Sequence, residues 1–455
     1  MTYLGPIISL VFIVVAGRLL LKKYYPHAVL LISGLLMLIV AQLLDYNLPI
    51  LKSPTGFSGF DLFKYIKESF SKTNAGVGLM IMAIGGFVAF IDKIGASDVL
   101  VYVTMKPLKF FKKQPYIAAS LVIPIGQLLF AAIPSAAGLG LLLMASMFPI
   151  LVNLGVSRLS AVSVITATTA FGVGPASAIT ASATTIAGLD PIVFFLNYQI
   201  PLIWPLSIVM MITYYFVNRY YDKKNGFEKE IQKAKTEEKP LKAPLIYAVI
   251  PILPIVLLIV FSEIFSFFSV PISIDTTTAM FISLFIALIC EFIRTKNIKA
   301  VFDSLKIFWN GMGNIFKTVV TLIITADIFA KGLISLGFID GLLEVAQNLG
   351  LGAVGIGVVM TVMIFLASML MGSGNASFFA FGPLVPKIAT KLGVDSTSII
   401  LPMQLSASMG RTVSPISGVI IATAEIAGVT TIAIVKRNLI PLVVALIVML
   451  GYHYI

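Results

Sequence analysis

Apolar positions in this chain gather into long runs instead of periodic stripes. Such runs lie near 5–21, 28–45, 76–92, 158–188 and 192–216, then near 244–266, 275–293, 312–332, 396–427 and 438–455. At about 1.5 Å of rise per residue, runs of this length cross a hydrocarbon core of about 30 Å. In lipid every backbone N–H and C=O must find a partner within the protein, and the runs lack the two-residue alternation of barrel strands, so they predict helices. Between the third and fourth run of each half lies further apolar sequence, roughly 115–153 and 352–391. The midpoints of these segments, AAIPSAAGLG at 131–140 and LMGSGNAS at 370–377, are rich in small and helix-breaking residues. They predict re-entrant helical hairpins in place of plain spans.

One segment interrupts the apolar pattern, from Asn218 to Lys242, NRYYDKKNGFEKEIQKAKTEEKPLK. It reads as a solvated, charged linker at 218–243 between a first half, 1–217, and a second half, 244–455. The halves resemble each other in register. Ser135 pairs with Ser373 and Leu154-Gly155-Val156 with Leu392-Gly393-Val394, 238 residues apart. Pro175 pairs with Pro415, Gly188 with Gly428 and Pro201 with Pro441, 240 apart, and Gly95 and Asp98 pair with Gly337 and Asp340, 242 apart.

Five crossings per half turn the second half upside down relative to the first, which predicts two inverted-topology repeats. The charges agree. Lys22, Lys23, Lys106, Lys109, Lys112, Lys113, Arg158, the linker, Arg294, Lys296, Lys299, Lys436 and Arg437 fall on one side, the cytoplasmic one by the positive-inside rule. Both termini are then expected outside. The segment after the third span is basic and amphipathic in the first half, VYVTMKPLKFFKK, and predicts a surface arm; its counterpart, IDGLLEVAQNLG, carries no Lys or Arg.

Composition narrows the class. Of the 455 residues, 58% are apolar and 11% charged, against about 25% charged in soluble domains. The net charge of +12 sits between apolar runs, where it orients spans and does not suggest nucleic acid. One cysteine, Cys290, excludes a disulfide within the chain, and two histidines, His27 and His453, are a poor catalytic inventory. HExxH, Gly-x-Ser-x-Gly and clustered Asp/His are all missing, which argues against an embedded enzyme and against a resident cofactor.

The candidate chemistry lies where helices break. A broken helix exposes an N-terminus whose free N–H groups and positive dipole end attract anions. Four breaks occur in two corresponding pairs. The hairpin tips are Pro134-Ser135-Ala136-Ala137-Gly138 and Gly372-Ser373-Gly374-Asn375. The mid-span interruptions are Gly172 to Ser177 and Gly410 to Gly418. The same small residues also serve plain helix packing. Arg411 is costly inside a membrane, by about 2.5–3.5 kcal/mol on the insertion scale, and requires a cavity and a partner. Its planar fork matches a carboxylate, with Thr412, Ser414, Ser417, Ser373 and Asn375 as neutral donors nearby in the pattern. The alternative is an internal ion pair with Asp327 or Glu425. Glu425 lies about 21 Å further along a continuous helix, nearer the cytoplasmic mouth.

At GSGNASFFAFGPLVPKIA and QLSASMGRTVSPISGVIIATAEIA the sequence resembles the DcuC family of anaerobic C4-dicarboxylate carriers, as it does at AAGLGLLLMASMFPILVNLGVSR, YYDKK (220–224) and IVKR (434–437). The resemblance runs over nearly the whole chain. It implies succinate, fumarate or a related dicarboxylate as substrate, exchanged or exported across the bacterial inner membrane. It also implies kinship with ion-coupled anion transporters that work as elevators on a dimeric scaffold and carry Ser-Asn-Thr at their hairpin tips. Here the second tip has Ser373 and Asn375 with Gly374 between them, and the first, Ser135-Ala136-Ala137, lacks Asn and Thr. Symmetric sodium sites are therefore not implied, although a cation site near Ser373 and Asn375 is, with Na⁺ or H⁺ as coupling ion.

The expectation is an all-α, elevator-type homodimeric secondary transporter in the bilayer. Its substrate-binding residues would be Ser135, Ser177, Ser373, Gly374, Asn375, Arg411, Thr412, Ser414 and Ser417. A carrier of another organic anion or amino acid, a cation/proton antiporter and a passive channel remain as rivals on the same pattern.

Overall fold

Ten helices among the described residues are long and apolar enough to cross a membrane. The structure is a computed structural model and describes residues 4–111, 114–226, 241–262 and 272–455. The first half runs α1 (Leu4–Leu21), α2 (Pro26–Leu43), α3 (Ser58–Ile94), α4 (Ala96–Met105), α5 (Pro115–Ala132), α6 (Ala136–Asn153), α7 (Arg158–Ala167), α8 (Ala178–Ala187) and α9 (Pro191–Lys224). The second half follows the same order with α10 (Leu245–Val260), α11 (Thr276–Thr295), α12 (Ile298–Ser335), α13 (Phe338–Asn348) and α14 (Ala353–Met371). It ends with α15 (Gly374–Phe381), α16 (Val385–Leu392), α17 (Ser396–Thr412), α18 (Gly418–Ala427) and α19 (Thr431–Tyr454).

Four elements differ from the reading of apolar runs. The third spans, α3 and α12, are about twice the expected length because each begins amphipathically, in sequence too polar to register as a run. In α3 the buried residues Leu62, Tyr65, Ser69 and Thr73 recur at helical spacing along a segment that also carries Asp61, Lys64, Lys67 and Glu68. Both spans relax into a π turn before their apolar part, at Asn74–Gly78 and Phe316–Val320. The first span of the second half is 3₁₀ over Leu245–Ile252 and α-helical over Leu253–Val260 alone. Pro244, Pro251 and Pro254 explain this, since each removes a backbone donor. Finally, α9 extends into the charged segment, and Asn218 and Asp222 are buried instead of solvated. The rest of the linker, 227–240, and Lys112 and Lys113 of the arm lie outside the described residues.

Packing sorts the helices into two groups. In one, α9 lies against α5 and α19, α14 against α17, α6 against α18, and α8 against α17. In the other, α2 packs along the C-terminal part of α12, α11 along the C-terminal part of α3, α4 against α10, and α1 against α13. α3 and α12 cross closely at small residues. A Cβ on Gly311 would lie 2.8 Å from the Cβ of Ala89 and 2.9 Å from the carbonyl oxygen of Gly85. The groups meet where α12 packs against α15.

One end of the first group is closed by a buried ionic cluster. Arg437 of α19 donates to Asp222 of α9 at 3.0 Å, to Ser160 of α7 at 2.9 Å and to the side-chain oxygen of Asn218 at 3.2 Å. Asp222 accepts in turn from Tyr116 of α5 at 3.0 Å and from Ser160 at 2.7 Å. The guanidinium also stacks over the Tyr221 ring, 5.2 Å from its centroid. Both charged side chains are 3% exposed, so removing one partner strands the other's charge in a dry interior. Asp222→Asn is expected to cost about 3–5 kcal/mol, read as a lower apparent melting temperature of the detergent-solubilised protein. The double variant Asp222→Leu/Arg437→Met should recover most of that loss, because it leaves no unpaired charge.

Candidate functional site

Breaking a helix inside a membrane frees backbone groups that lipid cannot satisfy, so each break needs side-chain partners. In the first interruption, residues 168–177, two buried glutamines supply them. Gln199 of α9 accepts from the N–H of Gly174 at 3.0 Å and donates to Thr180 at 3.0 Å. Gln404 of α17 donates to the carbonyl of Gly172 at 2.5 Å and to Thr180 at 2.9 Å, and its own oxygen accepts from Gln199 at 3.1 Å. Gly174 adopts φ +92°, a left-handed turn that an L side chain rarely takes. In the second interruption, 413–417, Asn438 of α19 donates to the carbonyl of Thr412 at 3.1 Å and to Thr166 at 3.0 Å. Its oxygen accepts from Tyr214 at 3.1 Å.

The hairpin turns are built alike. Ser135 caps the N-terminus of α6, accepting from the N–H of Gly138 at 3.1 Å, and Ser373 caps α15, accepting from that of Ala376 at 3.2 Å. Gly372 ends α14 at φ +71°. Ser177 stands at the N-cap of α8, but its hydroxyl makes no capping bond and so stays available.

A cavity of about 390 Å³ opens between the two groups of helices. Its one wall comes from α3 and α12 at their glycine crossing, including Gly85, Asp92, Gly311 and Asn314. Its other wall holds Ser135, Gly172, Ser177, Asn375, Ser408 and Arg411. The N-termini of α6, α8 and α15 therefore all end at this cavity, each with unpaired N–H groups and a positive dipole end. Arg411 adds a full positive charge. Its terminal nitrogen donates to the carbonyl of Thr169 at 2.5 Å, while its Nε is buried without a partner. Such an arrangement is chemically suited to an anion.

Of the residues predicted from sequence, Ser135, Ser177, Asn375 and Arg411 line this cavity. Ser373, Gly374, Thr412, Ser414 and Ser417 do not, and their local bonding explains why. The hydroxyl of Ser373 is turned to its own cap, Gly374 abuts the carbonyl of Ala407, and Thr412 donates back to the carbonyl of Ser408 at 3.0 Å. Ser414 and Ser417 are buried in the second interruption with unpartnered hydroxyls. The internal ion pair for Arg411 is not formed. Asp327 bonds Lys331 at 2.9 Å and the hydroxyl of Ser69, and Glu425 is exposed. Among the described residues no group of three or more His, Cys, Asp or Glu could hold a metal ion.

Sequence reasoning missed Asp92, Ser408, Asn314 and the three buried amides. The amides carried a signal, since Gln199, Gln404 and Asn438 are uncharged polar residues inside apolar runs. Asp92 carried less, because near Lys93 and Asp98 it reads as part of a polar span end.

Comparison with known proteins completes the site's context. The fold resembles solved structures of Neisseria gonorrhoeae MtrF, of a class of antimetabolite efflux pumps, and of the Alcanivorax borkumensis YdaH transporter. Both are 14% identical with a TM-score of 0.58; each match covers 94% of this chain, with 94% of MtrF and 98% of YdaH. The anaerobic C4-dicarboxylate transporter DcuC of Escherichia coli K12 is 33% identical over 451 residues, 99% of this chain and 96% of that protein. The probable anaerobic C4-dicarboxylate transporter DcuC of Vibrio cholerae is 36% identical over 444 residues, 97% and 95% of the two chains. The sequence profile of DcuC, the C4-dicarboxylate anaerobic carriers, matches residues 4–455. This chain, a multi-pass membrane protein, thus belongs to the DcuC family of transporters.

Proposed function

We propose that this protein is a secondary transporter of C4-dicarboxylates, of the succinate and fumarate class, in the bacterial inner membrane. One observation carries the reading: an arginine without a carboxylate partner among the described residues and three helix N-termini converge on a single cavity of about 390 Å³. That volume lies within the roughly 300–1,000 Å³ of small-molecule sites. The relatives' substrates, dicarboxylates by name, are what such a receptor would select. One carboxylate would take the fork of Arg411, and the hydroxyls of Ser177 and Ser408 with the amide of Asn375 would orient the remainder.

Two inverted repeats and an elevator motion extend the reading. The matched order of elements, the paired left-handed glycines Gly95 and Gly337, and Gly188 and Gly428, support the repeats. The hairpins, broken helices and last spans would move together, with α1–α4 and α10–α13 as a dimeric scaffold; the cavity between the two groups is where such sliding would carry a ligand. Both termini are placed outside by the positive-inside count. Transport would be coupled to a cation, Na⁺ or H⁺, or to exchange. A cation near Ser373 and Asn375 would have the neighbouring unpartnered hydroxyls of the second interruption to draw on.

Arg411→Ala should weaken succinate binding at least about 30-fold, roughly 2 kcal/mol or more, and abolish uptake into proteoliposomes while the protein stays folded. Arg411→Lys should also be impaired, since a point charge does not replace the fork. Unchanged uptake by either variant removes Arg411 from the site. The inverted topology has its own check. In a Cys290→Ser background, Lys106→Cys should react with an impermeant maleimide only after cells are opened, and Val345→Cys in intact cells.

A further inference from the structure

Among the described residues two charged side chains line the cavity, Arg411 on α17 and Asp92 on α3, from opposite walls. A dianionic dicarboxylate that enters is neutralised once by Arg411 and meets a third carboxylate in Asp92. Carboxylates crowded together in one cavity do not all remain ionised; a proton shared between two of them removes the repulsion. We propose that Asp92 is a specificity-determining residue, and that a dicarboxylate dianion occupies this cavity together with one proton held between Asp92 and the substrate's second carboxylate. The inference rests on the dicarboxylate reading above and goes beyond it in naming the charge state that the cavity accepts. The proton comes from the water on the side to which the cavity opens, bridges one oxygen of each carboxylate while the substrate is bound, and returns to water on release.

The surroundings of Asp92 suit that role. The hydroxyl of Ser97 donates to its Oδ1, while Oδ2 has no hydrogen-bond partner among the described residues. The residue is exposed, in contrast to Phe90 and Ile91 before it, which are fully buried. Among the described residues no cation neutralises it in an ion pair. Of the charged groups on neighbouring elements, Glu291 and Arg294 of α11 bind each other at 2.7 Å, as do Asp303 and Lys306 of α12 at 2.6 Å. Asp98 of α4 adds like charge, Lys93 is exposed beside it in sequence, Lys242 lies against Gly95, and Lys317 belongs to the π turn of α12. Tyr247 of α10 stacks with Arg294, 5.6 Å from ring centroid to guanidinium. The fold does not demand an acid at this place either: the position 242 residues on, the offset of Gly95–Gly337, is Ile334.

The test is calorimetric titration of the purified protein with fumarate, both of whose carboxyls are ionised between about pH 6 and pH 8, in two buffers of different ionisation enthalpy. Wild type should take up close to one proton per fumarate at the upper end, with affinity falling toward tenfold per pH unit. Asp92→Asn should bind with no proton uptake and with affinity changing less than about twofold across the range. Asp92→Glu should retain the uptake. Ser97→Ala, which removes the one hydrogen bond favouring the ionised form, should move the midpoint to higher pH, and keeps the test open if Asp92→Asn does not fold. Proton uptake that survives in Asp92→Asn, or wild-type binding that is independent of pH or follows sodium instead, overturns the proposal and leaves the dicarboxylate reading standing. Failure of wild type to bind either fumarate or succinate overturns both.

Discussion

A backbone carbonyl or amide released inside a membrane has no water to turn to, and this constraint organises the centre of the molecule. The two interruptions at 168–177 and 413–417 create the helix N-termini of α8 and α18, and they also release backbone groups that would otherwise sit in helical ladders. Gln199, Gln404 and Asn438 answer them, each with both ends of its amide engaged. Their bonds cross between halves: Gln404 of the second reaches the first interruption, and Asn438 ties Thr412 to Thr166. A polar network of this kind is favourable only when nearly complete. The cavity can therefore hold a polar ligand in a fixed arrangement, since the groups that shape it are not free to collapse onto one another. Arg411 belongs to both systems, with a terminal nitrogen on the carbonyl of Thr169 and an unpartnered Nε.

The cavity exists because α3 and α12 leave room opposite these breaks. At Gly85, Gly86 and Gly311 the two long spans approach so closely that a single added carbon would clash with its neighbours. A thin wall at the crossing brings Asp92 and Asn314 to the cavity from one side while the hairpin turns and Arg411 reach it from the other. Opposite charges on opposite walls give the cavity an electrical axis, with the attractive end among the helix N-termini and Arg411. A ligand with a charge at each end of a short chain fits such an axis only if its two ends are treated differently.

Much of this was legible in the chain before any coordinates. Apolar runs located the spans, and the small-residue clusters at 131–140 and 370–377 located the turns between α5 and α6 and between α14 and α15. Ser135 and Ser373 marked both turns as paired helix breaks, and Arg411 marked the cavity because a charge in an apolar run needs somewhere to face. Average polarity concealed the rest. The first turns of α3 carry Lys64, Lys67 and Glu68 on one face and bury Leu62 and Tyr65 on the other, so a window reads them as loop where only helical periodicity shows a helix. Proximity in sequence also overstated the site: Thr412, Ser414 and Ser417 neighbour Arg411 along the chain, yet Thr412 donates back into its own helix and the chain turns at 413–417, carrying Ser414 and Ser417 away from the cavity.

The charged motifs at the ends of α9 and α19 show why sign and position along a chain are not enough to place a charge. YYDKK at 220–224 and IVKR at 434–437 read alike as basic flanks of spans. In the fold, Lys223, Lys224 and Lys436 are exposed, as flanking charges should be, while Asp222 and Arg437 turn inward and bind each other. The inward pair gathers Ser160 and Tyr116, so the ends of α5, α7, α9 and α19 are joined through one carboxylate and one guanidinium. A count of positive charges that includes Arg437 therefore includes a charge already neutralised within the protein. Its neighbour Lys436 and the lysines after Asp222 stay outside the pair because one residue's shift along a helix moves a side chain by about 100° and so from one face toward the other.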